Sequence, residues 1–81
     1  MALSGVPTTG MFSVNLILPG AAAAEINIFD ACGRIVESTS VFCQTEAESI
    51  QMNVTESPAG MYIVSVSVEG ITETARLIKI N

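Results

Sequence analysis

The amino-acid sequence predicts an all-β fold, an antiparallel β-sandwich of six to seven strands. Three observations carry that prediction. Short runs of alternating apolar and polar residues recur along the chain; in the clearest, Tyr62, Val64, Val66 and Val68 share one parity while Ser65 and Ser67 take the other. Turns containing Pro or Gly separate these runs, among them Pro19-Gly20, Pro58-Ala59-Gly60 and Glu69-Gly70. No stretch carries a helix signal, and the Ala21 to Ala24 run is too short to nucleate a helix alone.

Taken in order, Leu3 and Val6 suggest a short edge strand, ended by Pro7, which cannot donate to a ladder. Pro7-Thr8-Thr9-Gly10 reads as a turn. Met11 to Leu18 is the first firm strand, with Phe12, Val14, Leu16 and Leu18 on one face and the mixed set Met11, Ser13, Asn15 and Ile17 on the other. Ala21 to Ala24 is expected to be a connecting loop. Glu25 to Phe29 is a strand facing inward through Ile26 and Ile28, and Asp30-Ala31-Cys32-Gly33 is a turn, with Asp30 accepting from N–H groups just ahead and Gly33 left-handed. Arg34 to Val41 returns as the second arm of a hairpin; the adjacent Ile35 and Val36 leave its inward face undecided. Phe42 to Glu48, polar and acidic, reads as an exposed loop. Ile50, Met52 and Val54 mark another strand, and Thr55 to Gly60 connects it to the Tyr62–Val68 strand. Glu69-Gly70 reverses the chain into a last strand whose pattern is broken. Ile71, Ala75 and Leu77 share one parity, and Ile78 and Ile80 share the other. A bulge near Arg76 to Ile78, or a strand end covered on both faces, would reconcile them. The strand count and turn spacing point to an immunoglobulin-like sandwich, although the chain has no Trp to form the cysteine–tryptophan–cysteine set of antibody domains.

Bulk properties narrow the function. Eighty-one residues suit one small domain, here expected to span residues 1–81 and to belong to a longer parent protein. A hydrophobic fraction of 49% argues against disorder. No apolar run approaches the ~20 residues of a spanning helix, so membrane insertion is not expected. Met1-Ala2-Leu3-Ser4 lacks the basic start and apolar core of a signal peptide, which places any export signal at the start of the parent chain. The net charge is −5, with Arg34, Arg76 and Lys79 the three basic residues, which excludes a basic patch for nucleic acid or anionic lipid.

The residue inventory excludes most catalysis. The chain has no histidine, so it has neither a His-based triad nor a His-ligated zinc. Cys32 and Cys43 lack zinc-site spacing, and an extended segment between them holds them roughly 25 Å apart at about 3.3 Å per residue, too far for a disulfide. Both are expected to be free thiols. Glu46 and Glu48 read as a solvated acidic loop rather than a calcium site. Tyr62 reads as a core ring whose hydroxyl reaches a partner at the rim. No enzyme activity and no cofactor are expected.

Three blocks in order resemble a known family. Pro7-Thr8-Thr9-Gly10-Met11-Phe12-Ser13-Val14 is similar to its opening motif. Ile26-Asn27-Ile28-Phe29-Asp30-Ala31-Cys32-Gly33-Arg34-Ile35-Val36 is similar to its central block. Ile50, Met52 and Val54, followed by Pro58-Ala59-Gly60-Met61-Tyr62-Ile63-Val64, are similar to its third. A basic residue near the end, Lys79, also fits. The family is the C-terminal sorting domain of proteins exported by the type IX (Por) secretion system of Bacteroidetes. Val6 departs from the usual Asn, and Cys32, Cys43 and the Ala21 to Ala24 run are atypical.

The resemblance implies an immunoglobulin-like sandwich acting as an address for a cargo fused ahead of it. Its partners would be the outer-membrane translocon and a sortase-like protease that removes the domain, with passage through the periplasm to the outer membrane, cell surface or extracellular space. Gly33, Arg34, Gly60, Tyr62, Leu77, Ile78 and Lys79 are the expected translocon-recognition residues; Arg34 and an exposed end carrying Lys79 are the readable charges, and Gly33, Gly60 and Tyr62 serve first to hold the shape. Two other classes compete. An extracellular adhesion or accessory binding module would need outward rings, for which Phe29 and Phe42 are the candidates. A homodimer joined through edge strands would use the mixed faces at Met11, Ile17 and Ile63.

Overall fold

The computed structural model describes residues 1–81. Seven strands are present: β1 (Ala2–Ser4), β2 (Met11–Ile17), β3 (Ala22–Phe29), β4 (Ile35–Cys43), β5 (Ala47–Asn53), β6 (Gly60–Val68) and β7 (Ile71–Lys79). They form a three-stranded sheet, β1-β2-β5, and a four-stranded sheet, β4-β3-β6-β7, with every pairing between strands antiparallel. The all-β, two-sheet antiparallel architecture expected from the alternation is therefore what the chain adopts.

The alternation explains why these segments pack. Phe12, Val14, Leu16 and Leu18 from the smaller sheet's central strand and its exit meet Ile26, Ile28, Tyr62, Val64, Val66 and Leu77 of the larger sheet, with Met52 and Val54 completing the core. In a strand, side chains two apart share a face, so each buried position leaves its neighbours to solvent. Val14, Ile26, Ile28, Val64 and Leu77 are fully enclosed. Tyr62 is buried as expected, and its hydroxyl donates to the Pro58 carbonyl. Val68 pairs with Ile71, so Glu69-Gly70 is a two-residue loop with φ of 52° and 82°, the signature of a type I′ hairpin turn.

Four expectations are corrected. Ala21 to Ala24 is not a loop: Ala22–Ala24 open β3, paired with Cys43, Phe42 and Val41, and Ala22 and Ala24 are buried. Pairing with β4 along all three residues, joined by β6 at Ala24, supplies hydrogen bonds that override a weak local preference for strand. Phe42 to Glu48 is not one exposed loop: Phe42 and Cys43 finish β4, Cys43 is buried, and Ala47 and Glu48 begin β5 opposite Ile17 and Leu16. The last strand has no bulge. Its register with β6 runs unbroken from Val68↔Ile71 to Gly60↔Lys79, with Leu77 and Lys79 inward and Ile78 and Ile80 exposed. The pattern looked broken because a lysine takes a core position and two isoleucines take surface ones. The irregularity lies in β4, where Ile28 opposes Glu37 and Phe29 opposes Ile35, leaving Val36 as the extra residue. The edge strand at the start is also shorter than expected, since β1 ends at Ser4, before Val6.

Candidate functional site

The seven residues singled out in the sequence gather at one end of the four-stranded sheet. Gly33 and Arg34 lie in the β3–β4 turn, next to the Phe29↔Ile35 pair. Gly60 and Tyr62 lie at the start of β6, opposite Lys79 and Leu77, and Ile78 opposes Met61. Phe29 in turn opposes Ile63, which joins the turn and the strand ends into one region.

The turn is built by Asp30. Its carboxylate accepts from the N–H groups of Cys32 (2.9 Å) and Arg34 (3.0 Å) and from Arg34 Nε (3.1 Å), while the Asp30 carbonyl accepts from Gly33 N. Gly33 has φ of +87°, a left-handed conformation that a side chain would strain. These donors, the Arg34 backbone N–H foremost, hold the Asp30 carboxyl below its ordinary range. Arg34 remains largely exposed, with only its Nε engaged by the carboxylate.

The strand end is held by an arrangement the sequence did not announce. Thr8 is 3% exposed and bridges to Lys79 in parallel: Thr8 N donates to the Ile78 carbonyl (3.0 Å), and Ile80 N donates to the Thr8 carbonyl (2.7 Å). The Thr8 hydroxyl donates to the Met11 carbonyl (2.6 Å) and accepts from Gly10 N (2.9 Å). Gly10 in turn accepts from Val54 N (2.8 Å). The Pro7–Gly10 turn therefore clasps the last residues of β7 to the smaller sheet. A threonine between Pro and Gly carries no signal that separates such a clasp from an ordinary turn, so the reading as a turn missed this role.

The structure also corrects the expected role of Lys79. It is 6% exposed, and its ammonium donates to the Ser57 carbonyl at 2.6 Å instead of facing solvent. Its alternation with Ile78 and Ile80 puts it on the inner face, and the β5–β6 connection supplies the acceptor that makes burial of a charge tolerable. Tyr62 and Leu77 are buried as well, whereas Gly33, Arg34, Gly60 and Ile78 are exposed. The seven residues thus divide into three that are buried and four that are exposed. Arg76 joins the second group: it is exposed and forms no ion pair.

Chemically reactive groups are sparse. Cys32, in the β3–β4 turn, and Cys43, the last residue of β4, are free thiols, the first exposed and the second buried. Burial, with Glu48 nearby, pushes the Cys43 thiol up. At the other end of the molecule an apolar cleft of about 170 Å³ opens between Leu16, Leu18, Val66, Val68 and Ile71.

A family model described as the secretion system C-terminal sorting domain matches residues 6–81, a span holding the clasp, the Asp30–Arg34 turn and the β6–β7 hairpin. No curated protein and no solved structure matches the chain. The chain belongs to this family, the non-catalytic C-terminal sorting domains of the type IX secretion system of Bacteroidetes.

Proposed function

We propose that this domain is the C-terminal address of a longer exported protein, a single folded unit over residues 1–81 behind a fused cargo, read by the outer-membrane translocon and then removed by a sortase-like protease. The family match over residues 6–81 is the observation that carries this reading. A folded address is read through its surface, so the roles of the candidate residues separate by burial. Gly33, Arg34, Gly60 and Ile78 are the recognition residues. Tyr62, Leu77 and Lys79 act indirectly, by keeping β6, β7 and the Thr55–Gly60 connection in one arrangement. The cargo passes through the periplasm and finishes at the cell surface or outside the cell.

The test is a reporter with a cleavable signal peptide, joined ahead of residues 1–81 and expressed in a type IX-proficient strain and in a translocon-deficient one. The expected result is reporter at the surface or in the medium of the proficient strain alone. Reporter retained in the periplasm of both strains overturns the proposal.

A further inference from the structure

We propose that the outer face of the β4-β3-β6-β7 sheet, at the end carrying the Asp30–Arg34 turn, docks a protein partner whose apolar strip is flanked by carboxylates. The inference rests on the sorting reading in one respect only, that the partner belongs to the export machinery. The register places the outward residues in rows across the four strands. One row runs Ile35, Phe29, Ile63, Arg76, and beside it Met61 opposes Ile78. The next rows are Ser38, Asn27, Ser65, Thr74 and then Ser40, Glu25, Ser67, Thr72. The face thus has an apolar half at this end and a polar half beyond it, closed at the far end by the Ala23–Phe42 pair, where Phe42 is 65% exposed.

In the polar half, Ser38 donates to Asn27 at 2.7 Å and Ser67 bonds Thr72 at 2.8 Å. The apolar half has nothing over it: Ile35 is 58% exposed, Met61 41%, Ile78 40% and Ile80 52%. These side chains point away from the core, so folding does not account for their apolar character, and clustered exposure of this kind marks an interaction surface. Charge selects the partner. Lys79 is buried, so Arg34 and Arg76 are the exposed basic side chains of a chain with net charge −5. Arg76 ends the apolar row on β7 and Arg34 stands in the turn one residue before its other end, Ile35; the row from Ile35 to Arg76 spans three inter-strand spacings, about 14 Å. Arg34 keeps its terminal nitrogens free and Arg76 has no ion pair. A second copy docking the same patch would bring guanidinium groups together, with Asp30 already engaged by Arg34 and Glu25 lying in the polar half. A carboxylate-flanked protein strip satisfies both arginines while covering the isoleucines.

The experiment uses the reporter fusion in the type IX-proficient strain. One variant carries Met61→Ser with Ile78→Ser, a second carries Arg34→Glu with Arg76→Glu, and a control carries Ser65→Ala with Thr74→Ala. Thermal unfolding of each purified domain accompanies the export measurement. The expected result is surface delivery reduced at least about tenfold in both patch variants with melting close to wild type, and unchanged delivery in the control. Equal delivery by folded patch variants overturns the docking surface while leaving the sorting reading standing. A photo-crosslinking residue at position 61 or 65 in living cells gives a readout independent of export. A crosslink from 61, absent from 65 and lost with Arg34→Glu and Arg76→Glu, to a peptide with Asp or Glu beside apolar residues supports the proposal even where the fusion is not exported. A crosslink to a second copy or to lipid, or equal crosslinking from both positions, overturns it.

Discussion

Replacing Gly10 with Ala tests whether the clasp is as tight as it looks. A Cβ at this position would lie 2.2 Å from Thr55 Oγ1, 2.9 Å from Thr55 Cα and 3.0 Å from Thr55 Cβ. The hydroxyl can rotate, but the Cα is main chain and moves only if the end of β5 moves. Restoring an ordinary contact of 3.4 Å to that Cα requires a backbone shift of 3.4 − 2.9 = 0.5 Å. That shift strains the 2.8 Å bond from Val54 N to the Gly10 carbonyl and the 2.9 Å bond from Gly10 N to Thr8. Overpacking costs ~1–3 kcal/mol, and a weakened buried hydrogen bond adds ~1 kcal/mol, so the expected loss is about 2–4 kcal/mol. A domain of this size holds roughly 4–12 kcal/mol in total. Gly60 is the control, because its φ of +150° is close to the +158° of Gly10 but a Cβ there meets nothing within 4 Å. Gly60→Ala therefore reports the backbone term alone, and the difference between the two variants isolates the contact with Thr55. Urea unfolding followed by circular dichroism measures both. Equal losses for Gly10→Ala and Gly60→Ala would refute the reasoning, as would full recovery in Gly10→Ala with Thr55→Ala, which leaves the Cα conflict in place.

Other outcomes follow from single contacts. Tyr62→Phe keeps the buried ring and removes the bond to the Pro58 carbonyl, so stability falls by about 1 kcal/mol and the melting temperature by ~4–8 °C, measured by thermal denaturation. Lys79→Ala removes a buried stem and a charge-assisted bond to Ser57, lowering stability by ~2–4 kcal/mol, while Arg34→Ala at an exposed turn changes the urea midpoint little. The Asp30 carboxyl is held low by the Arg34 and Cys32 N–H groups; its stabilisation is therefore complete above the ordinary carboxylate value and is lost as pH falls through the lowered folded value. In the Asp30→Asn variant that acid-side dependence is absent, which paired pH titrations of thermal unfolding check. Maleimide at neutral pH modifies Cys32 in the native protein and reaches Cys43 only in denaturant, because Cys43 is buried with its thiol pushed up; mass spectrometry of the labelled peptides reads the difference.

The legible parts of the fold were those where each residue's own chemistry settled its place. In Phe12 to Leu18 and Tyr62 to Val68 one parity is apolar throughout, and the Asp30–Gly33 turn needs only a short acceptor and a left-handed glycine. The candidate site was half legible. That its residues gather at one end of the larger sheet needed the strand pairing, but Tyr62 was read as core. Lys79 was not, since a terminal lysine between isoleucines is ordinarily a surface residue and only the Ser57 carbonyl makes its burial favourable. Thr8 was hidden for a similar reason: a threonine in a turn gives no sign that a strand about seventy residues later will hydrogen-bond to its main chain.

The sequence by itself determined the strand-forming character of the chain, the hairpin turns, most of the core and, through three ordered motifs, the sorting-domain family. These depend on period, turn chemistry and residue type, all of which are local. Tertiary structure alone decided that the Ala22–Ala24 run is strand, that the irregularity falls at Val36 and not in β7, that Lys79 points inward, and that Ile35, Phe29, Ile63 and Arg76 line up across four strands. Each of those depends on which strand lies alongside, and register between distant segments is a sum over many contacts that no single window of sequence contains.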